Sequence, residues 1–281
     1  MTFVRTLGGL TAASLLVLLS ACAGPSRSPV PPTAPEQIGE IRPGTGMLNG
    51  YLDRKALPNS LALLPPPPAA GSAALGADQA AYRATRSLLA TSRGALAASD
   101  ARLEFPAAAE VFACSAALDI TMEATPHLYT LLRRTLVDAG LATYGAKEHY
   151  KRTRPFVVNK EGTCSPQDEP RLVKDGSYPS GHSALGWGWA LLLTELMPER
   201  ADALLARGYA FGQSRVVCGV HWQSDVEAGR VMGAAAVAGL HTDPVFQAQM
   251  RLAAGEIQRL RADGRGTTRQ CAAEIEALKL R

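Results

Sequence analysis

Aromatic residues make up only 6% of this chain and charged residues only 19%, with a formal net charge of +4. The basic residues are scattered and the aromatics too few to form a basic-aromatic stripe, which argues against nucleic acid as a partner. There is no convincing strand series, no hairpin turn signal and no internal repeat, which leaves an all-α domain. After the first twenty or so residues, no apolar run is long enough to cross a bilayer unaided. The chemistry-bearing residues include no set of metal ligands, so the chemistry is expected to be metal-free, with no cofactor. What is present is ordinary globular composition: 281 residues, 47% of them hydrophobic, enough for one sizeable core. Length alone leaves one or two domains open.

Residues 1–21 read as a signal peptide, with Arg5 ahead of a mostly apolar Leu7 to Leu19. The segment ends Leu19-Ser20-Ala21-Cys22, which resembles a bacterial lipobox with Cys22 as the lipidated residue. Cleavage after Ala21-Cys22-Ala23 is the competing reading. Either way the mature protein is expected to be exported, periplasmic and, with a lipidated Cys22, anchored to the outer membrane. Residues 22–46 carry Pro25, Pro29, Pro31, Pro32, Pro35 and Pro43 without an apolar period and read as a tether. The folded domain is expected over 47–281. Leu61 to Leu64 and then Pro65 to Pro68 read as an apolar strap on its surface.

From Asp78 onward the periodicity is helical. Gln79 to Ala98, Ala107 to Leu118, Pro126 to Gly140 and Thr143 to Arg154 carry Ala, Leu and charge at three- and four-residue spacings. Ser183 to Met197 and Val231 to Leu240 are nearly all apolar and predict central, buried helices. Glu256 to Leu280 predicts a closing amphipathic region broken around Gly264-Arg265-Gly266.

Three segments carry the chemistry. In the first, Lys147 and Arg154 are seven residues apart, almost two helical turns, so one helix would project both toward one anion beyond its end at Pro155. Lys151 and Arg152 fall on other faces and read as solvated. In the second, Pro179-Ser180-Gly181-His182 feeds straight into an apolar helix, where free N–H groups, the Ser180 hydroxyl and the close backbone approach at Gly181 suit a phosphate. His182 would stand beside the bound group. In the third, Ser214-Arg215 precedes His221 and Asp225, four apart on one face if 222–228 is helical. A carboxylate on one imidazole nitrogen leaves the other as a nucleophile. Alone, each segment has a bland reading as surface charge, a capped helix or a structural hydrogen bond. Together they match in-line phosphoryl transfer through a phosphohistidine. Four further cysteines, Cys114, Cys164, Cys218 and Cys271, allow three pairings in an oxidising compartment. If Arg154 and Arg215 grip one phosphate, Cys164 lies near Cys218. This favours that pair and leaves Cys114 with Cys271; free buried thiols are the alternative.

The three segments, Lys-x6-Arg-Pro, Pro-Ser-Gly-His and Ser-Arg-x5-His-x3-Asp, resemble the signature of the type 2 phosphatidic acid phosphatase superfamily. The text from Tyr51 to Phe246 is similar to the class A nonspecific acid phosphatases in particular. Ser183 departs from the Thr usual after the His, and keeps its hydroxyl. The resemblance implies a compact α-helical bundle that hydrolyses phosphate monoesters, with nucleotides, sugar phosphates and aryl phosphates as candidate substrates. It implies His221 as nucleophile, Asp225 as its orienter and His182 as general acid and then base. Lys147, Arg154, Arg215, Ser180 and the Gly181 backbone are implied to bind phosphate. It also implies a homodimer or larger homo-oligomer, and transfer to alcohols or nucleosides beside hydrolysis. A vanadate-dependent haloperoxidase and a non-catalytic phosphate-binding lipoprotein are the alternatives carried forward. An acidic pH optimum is expected, since His182 must be protonated while His221 is neutral.

Overall fold

One helix with almost no polar face, Gly181–Leu196, forms the middle of the molecule, and the remaining helices are arranged around it. The second helix expected to be central, over Val231 to Leu240, exposes Val231, Ala234 and Ala238 on its outer side. The computed structural model describes residues 1–3 and 30–280. Residues 4–21 of the leader segment and Cys22 lie outside the described residues. Among the described residues, α-helices of five residues or more run in the order α1 (Ala73–Thr85), α2 (Ser92–Ser99), α3 (Pro126–Leu141), α4 (Tyr144–Tyr150), α5 (Pro155–Asn159), α6 (Gly181–Leu196), α7 (Ala201–Val217), α8 (Gln223–Leu240), α9 (Pro244–Ala262) and α10 (Ala272–Lys279). The described residues contain no strand beyond one isolated bridge, Glu40 to Leu48, so the expected all-α bundle is what the chain forms. No helix among them is long and apolar enough to cross a membrane.

The central helix α6 packs against α7, α8 and α3. Its Trp189 is fully buried and donates its indole N–H to the Leu132 carbonyl at 3.1 Å, satisfying the one polar atom of that side chain. The contact between α6 and α8 is made through glycine. A Cβ added at Gly233 would lie 2.3 Å from the Ala184 oxygen, and one at Gly229 would lie 2.5 Å from the Ser180 oxygen. Backbone therefore meets backbone, which holds the start of α6 against the first turns of α8. The N-terminus of α3 is capped from far along the chain, where the buried Glu256 carboxylate accepts from the His127 and Leu128 N–H groups at 2.9 and 3.0 Å.

Several boundaries differ from the periodic reading. The stretch 79–98 is two helices joined by a 3-10 turn, Arg86–Ala90, and 107–118 is a 3-10 turn followed by the single helical turn Ala113–Ala116. The helix expected over 143–154 stops at Tyr150, because Lys151 adopts a left-handed conformation at φ 44°. Arg154 is extended and Pro155 opens the next helix. The apolar helix expected from Val231 starts earlier, at Gln223. Part of the Pro-rich stretch, residues 30–46, lies on the domain: Pro35–Ile38 forms one helical turn, and Arg133 donates to the Gly46 carbonyl at 2.7 Å. Both disulfides expected from sequence are present, Cys114–Cys271 and Cys164–Cys218, with Cα separations of 5.6 and 4.7 Å.

Candidate active site

The site lies where four pieces of backbone end: the exit of α4, the turn into α6, the end of α7 and the start of α8. Proximity of α6 and α8 follows from the glycine contacts above. It is reinforced by the Ser180 N–H, which donates to the Asp225 carbonyl at 2.9 Å. The third piece is brought in by Cys164–Cys218 and by the Phe156 N–H bonding to the Gly219 carbonyl at 3.1 Å.

His221 is buried, with both ring nitrogens engaged. Nδ1 lies 3.4 Å from Asp225 Oδ2, and Nε2 lies 3.0 Å from Arg154 Nη1. Arginine can only donate, so Nε2 carries the lone pair and Nδ1 the proton. Asp225 is fully buried and accepts from the Trp222 N–H at 2.8 Å, which anchors the carboxylate to the N-terminus of its own helix. Burial raises the Asp225 pKa, opposed chiefly by Arg152. Burial, then Arg154 and Lys147, push the His221 pKa well below the ordinary imidazole value, so this ring is neutral.

Lys147, Arg154 and Arg215 are all buried at one place, as the sequence predicts for the first two, although not by projecting from one helix. Lys147 is in α4 and donates to the Gly176 carbonyl at 2.7 Å; Arg154 reaches the same carbonyl at 3.3 Å from the extended segment beyond the helix. Arg154 is caged further by the Leu172, Asp175 and Val220 carbonyls at 2.9 to 3.0 Å. Asp175 faces both cations, at 3.6 Å from Lys147 and 3.0 Å from Arg154. Burial first, then Arg154, brings the Lys147 pKa down to about 8. Arg215 differs from the other two, since its Nε and Nη1 are buried with no hydrogen-bond partner among the described residues. Burial and then Arg154 lower its pKa to about 9. A buried guanidinium without acceptors costs several kcal/mol unless an anion supplies them.

Ser180 is the N-cap of α6, its Oγ accepting from the Ser183 N–H at 3.2 Å and from the Ser183 hydroxyl at 2.9 Å. That leaves the Ser180 hydroxyl hydrogen free to donate into the site. It also gives the hydroxyl of Ser183 a purpose that Thr would serve equally. His182, on the first turn of α6, contacts the Ala101 carbonyl through Nε2 at 3.1 Å and stacks on Phe211. A carbonyl can only accept, so Nε2 carries the proton and Nδ1 is the nitrogen left over. Burial, then Arg215, hold the His182 pKa well below the ordinary value.

Three residues of this site escape sequence reading. Arg152, expected to be solvated, bridges Asp225 at 2.6 Å and Asp78 at 2.7 Å. Its side chain is only 9% exposed, because the left-handed Lys151 turns the chain inward after α4. Asp78 also accepts from the Ser224 N–H and hydroxyl at 2.8 and 2.6 Å, fixing the start of α8. Asp175, the third, has no motif around it. Lys151 is exposed, as expected.

The chain is similar to characterised proteins over most of its length. Residues 125–247 match the PAP2 superfamily, a span containing every catalytic and phosphate-binding residue named from sequence. The chain is 48% identical over 212 residues to a non-specific acid phosphatase of Providencia stuartii, covering 75% of this chain and 86% of that relative. It is 46% identical to a non-specific acid phosphatase of Salmonella typhimurium over 67% of this chain and 76% of that relative. It is 41% identical to an acid phosphatase of Zymomonas mobilis over 72% and 76%.

Proposed function

The chain belongs to the class A nonspecific acid phosphatases of the PAP2 superfamily, and from that premise we propose that it hydrolyses phosphate monoesters through a phosphohistidine on His221, without a metal. The observation that carries this is Arg215: a buried cation without acceptors, beside Lys147 and Arg154, next to an imidazole whose Nε2 holds a lone pair.

The ester phosphate takes the place where the three cations converge, with the Ser180 hydroxyl and the N-terminus of α6 as further donors. Arg154 exchanges its contact with Nε2 for phosphate oxygens. The Nε2 lone pair then forms a bond to phosphorus as the P–O bond to the leaving group breaks in line. His182, protonated, gives its proton to the departing oxygen. Water next attacks the phosphohistidine, His182 takes a proton from it, the N–P bond breaks and inorganic phosphate leaves. An alcohol such as a nucleoside in place of water gives phosphotransfer. The cations already neutralise charge on the transferring group, the task a metal performs elsewhere.

The depressed His182 pKa sets the pH dependence. A low pKa means the proton is held only in acid, so a rate that needs it falls as pH rises. The phosphate dianion raises that pKa on binding, by offsetting the Arg215 charge. Above about pH 8 Lys147 also loses its charge, and phosphate binding weakens further. The proposal extends to the setting: export to the periplasm and anchoring through Cys22 rest on Leu19-Ser20-Ala21-Cys22, supported by two disulfides. Homo-oligomerisation rests on the family resemblance.

The test is p-nitrophenyl phosphate hydrolysis from acidic to mildly alkaline pH in EDTA, with the wild type and His221→Ala. Turnover that peaks below neutral pH, survives EDTA and is absent in the variant is expected. Loss in EDTA would overturn the metal-free step, and a flat profile to about pH 8 would remove His182 as the acid.

A further inference from the structure

Arg171 stands outside the inner set of cations. It lies in the single helical turn Glu169–Leu172, whose last carbonyl accepts from Arg154 Nε at 2.9 Å, so the backbone of this turn is part of the wall that holds Arg154. Its own side chain turns outward and is 64% exposed. Its one ion-pair partner among the described residues is Asp168, at 3.5 Å. Such an exposed pair contributes little, so the guanidinium is free to exchange Asp168 for another anion. Its charge acts on Arg154, Arg215, His182 and Tyr144, groups that surround the site on different elements. Tyr144, half exposed at the start of α4, follows Thr143, whose hydroxyl would lie 3.7 Å from a Cβ added at Gly181. Tyr144 therefore borders the start of α6 and the turn of Arg171 borders Arg154, so both stand at the edge of the buried cations.

The inner charges are matched to one phosphoryl group. Lys147, Arg154 and Arg215 against Asp175 leave two net positive charges facing the anion, equal and opposite to a phosphate monoester dianion, while Asp225 lies on the far side of His221, where Arg152 bridges it to Asp78. A second anionic group on the leaving side finds no partner in that inner set, and Arg171 is placed to supply one.

We propose that Arg171 is a rim cation that binds a second phosphate on the leaving group, making it a specificity determinant for substrates such as nucleoside diphosphates. This rests on the phosphatase reading above. The test compares AMP, with one phosphate, and ADP, whose terminal phosphate is transferred while the other sits at the rim, by initial rates of phosphate release. Arg171→Gln is expected to raise KM for ADP about three- to fivefold, the scale of one solvent-exposed ion pair. It should leave kcat, and KM for AMP, within about twofold. Arg171→Lys should restore most of the ADP affinity, and the difference between substrates should shrink as salt is raised. Equal KM changes for AMP and ADP, or none for ADP, would overturn the assignment. Absence of turnover of either nucleotide or p-nitrophenyl phosphate by the wild type would instead sink the phosphatase reading itself.

Discussion

Arg152 illustrates how a residue outside the proposed substrate contacts can position one that makes them. It is held between Asp78 and Asp225, and Asp225 in turn holds the Nδ1 proton of His221. It is also the strongest influence opposing the upward shift of the Asp225 pKa. Without it, Asp225 is more readily protonated and His221, the proposed nucleophile, loses its fixed tautomer. Arg152→Ala is expected to lower kcat roughly tenfold or more, about 1.4 kcal/mol of transition-state stabilisation, with KM little changed because the phosphate grip is untouched. Arg152→Lys, which keeps the charge but loses the fork, should recover part of the rate. Steady-state kinetics of both variants check this, and a KM effect larger than the kcat effect would assign Arg152 to phosphate binding instead. At this scale the meeting of the motif residues was legible because their types and spacings suit a single anion. Arg152, Asp78 and Asp175 were not, because their meaning lies in partners up to 146 residues away. An isolated charge in sequence looks the same whether it is solvated or paired.

At the scale of elements, the site depends on how closely α6 and α8 approach. Gly229 faces the Ser180 oxygen and the Ser183 side chain, so any Cβ there would lie 2.5 and 2.8 Å from atoms of the phosphate turn. Gly229→Ala should therefore push the Ser180-Gly181-His182 turn away from Asp225. The overpacking is expected to cost about 1–3 kcal/mol. This is a Tm decrease of roughly 2–4 °C per kcal/mol for a chain of this size. KM should rise with it. Gly255→Ala in α9 is the matched control, since its nearest neighbour would be the flexible end of Arg259 at 3.9 Å; helix propensity should make it neutral or stabilising. Thermal unfolding of the two variants side by side decides between a packing constraint and a general dislike of alanine. Helix existence was largely legible from apolar periodicity, and helix ends were not. The end of α4 depends on a left-handed Lys151, a position sequence would assign to Gly or Asn.

Across the whole molecule, the two disulfides close loops of different meaning. Cys164–Cys218 spans 54 residues, and within that loop lie Asp175, Ser180, His182 and Arg215. Cys114–Cys271 spans 157 residues and fastens the last helix, α10, to the turn Ala113–Ala116, away from the phosphate site. On chain entropy alone the first is worth about 4 kcal/mol and the second about 5, the larger loop gaining more. Stability and catalysis should therefore respond in opposite order. The Cys114→Ser/Cys271→Ser variant is expected to show the larger fall in denaturation midpoint and an unchanged KM. Cys164→Ser/Cys218→Ser should show the smaller fall but a raised KM, because the Cys164 N–H bonds to the Cys218 carbonyl beside the Val220 carbonyl that cages Arg154. Chemical denaturation with parallel phosphatase assays separates the two. A raised KM in both variants would mean that α10 reaches the site through Glu274, Arg207 and Asp100, the buried chain that ends one residue before the Ala101 carbonyl holding His182.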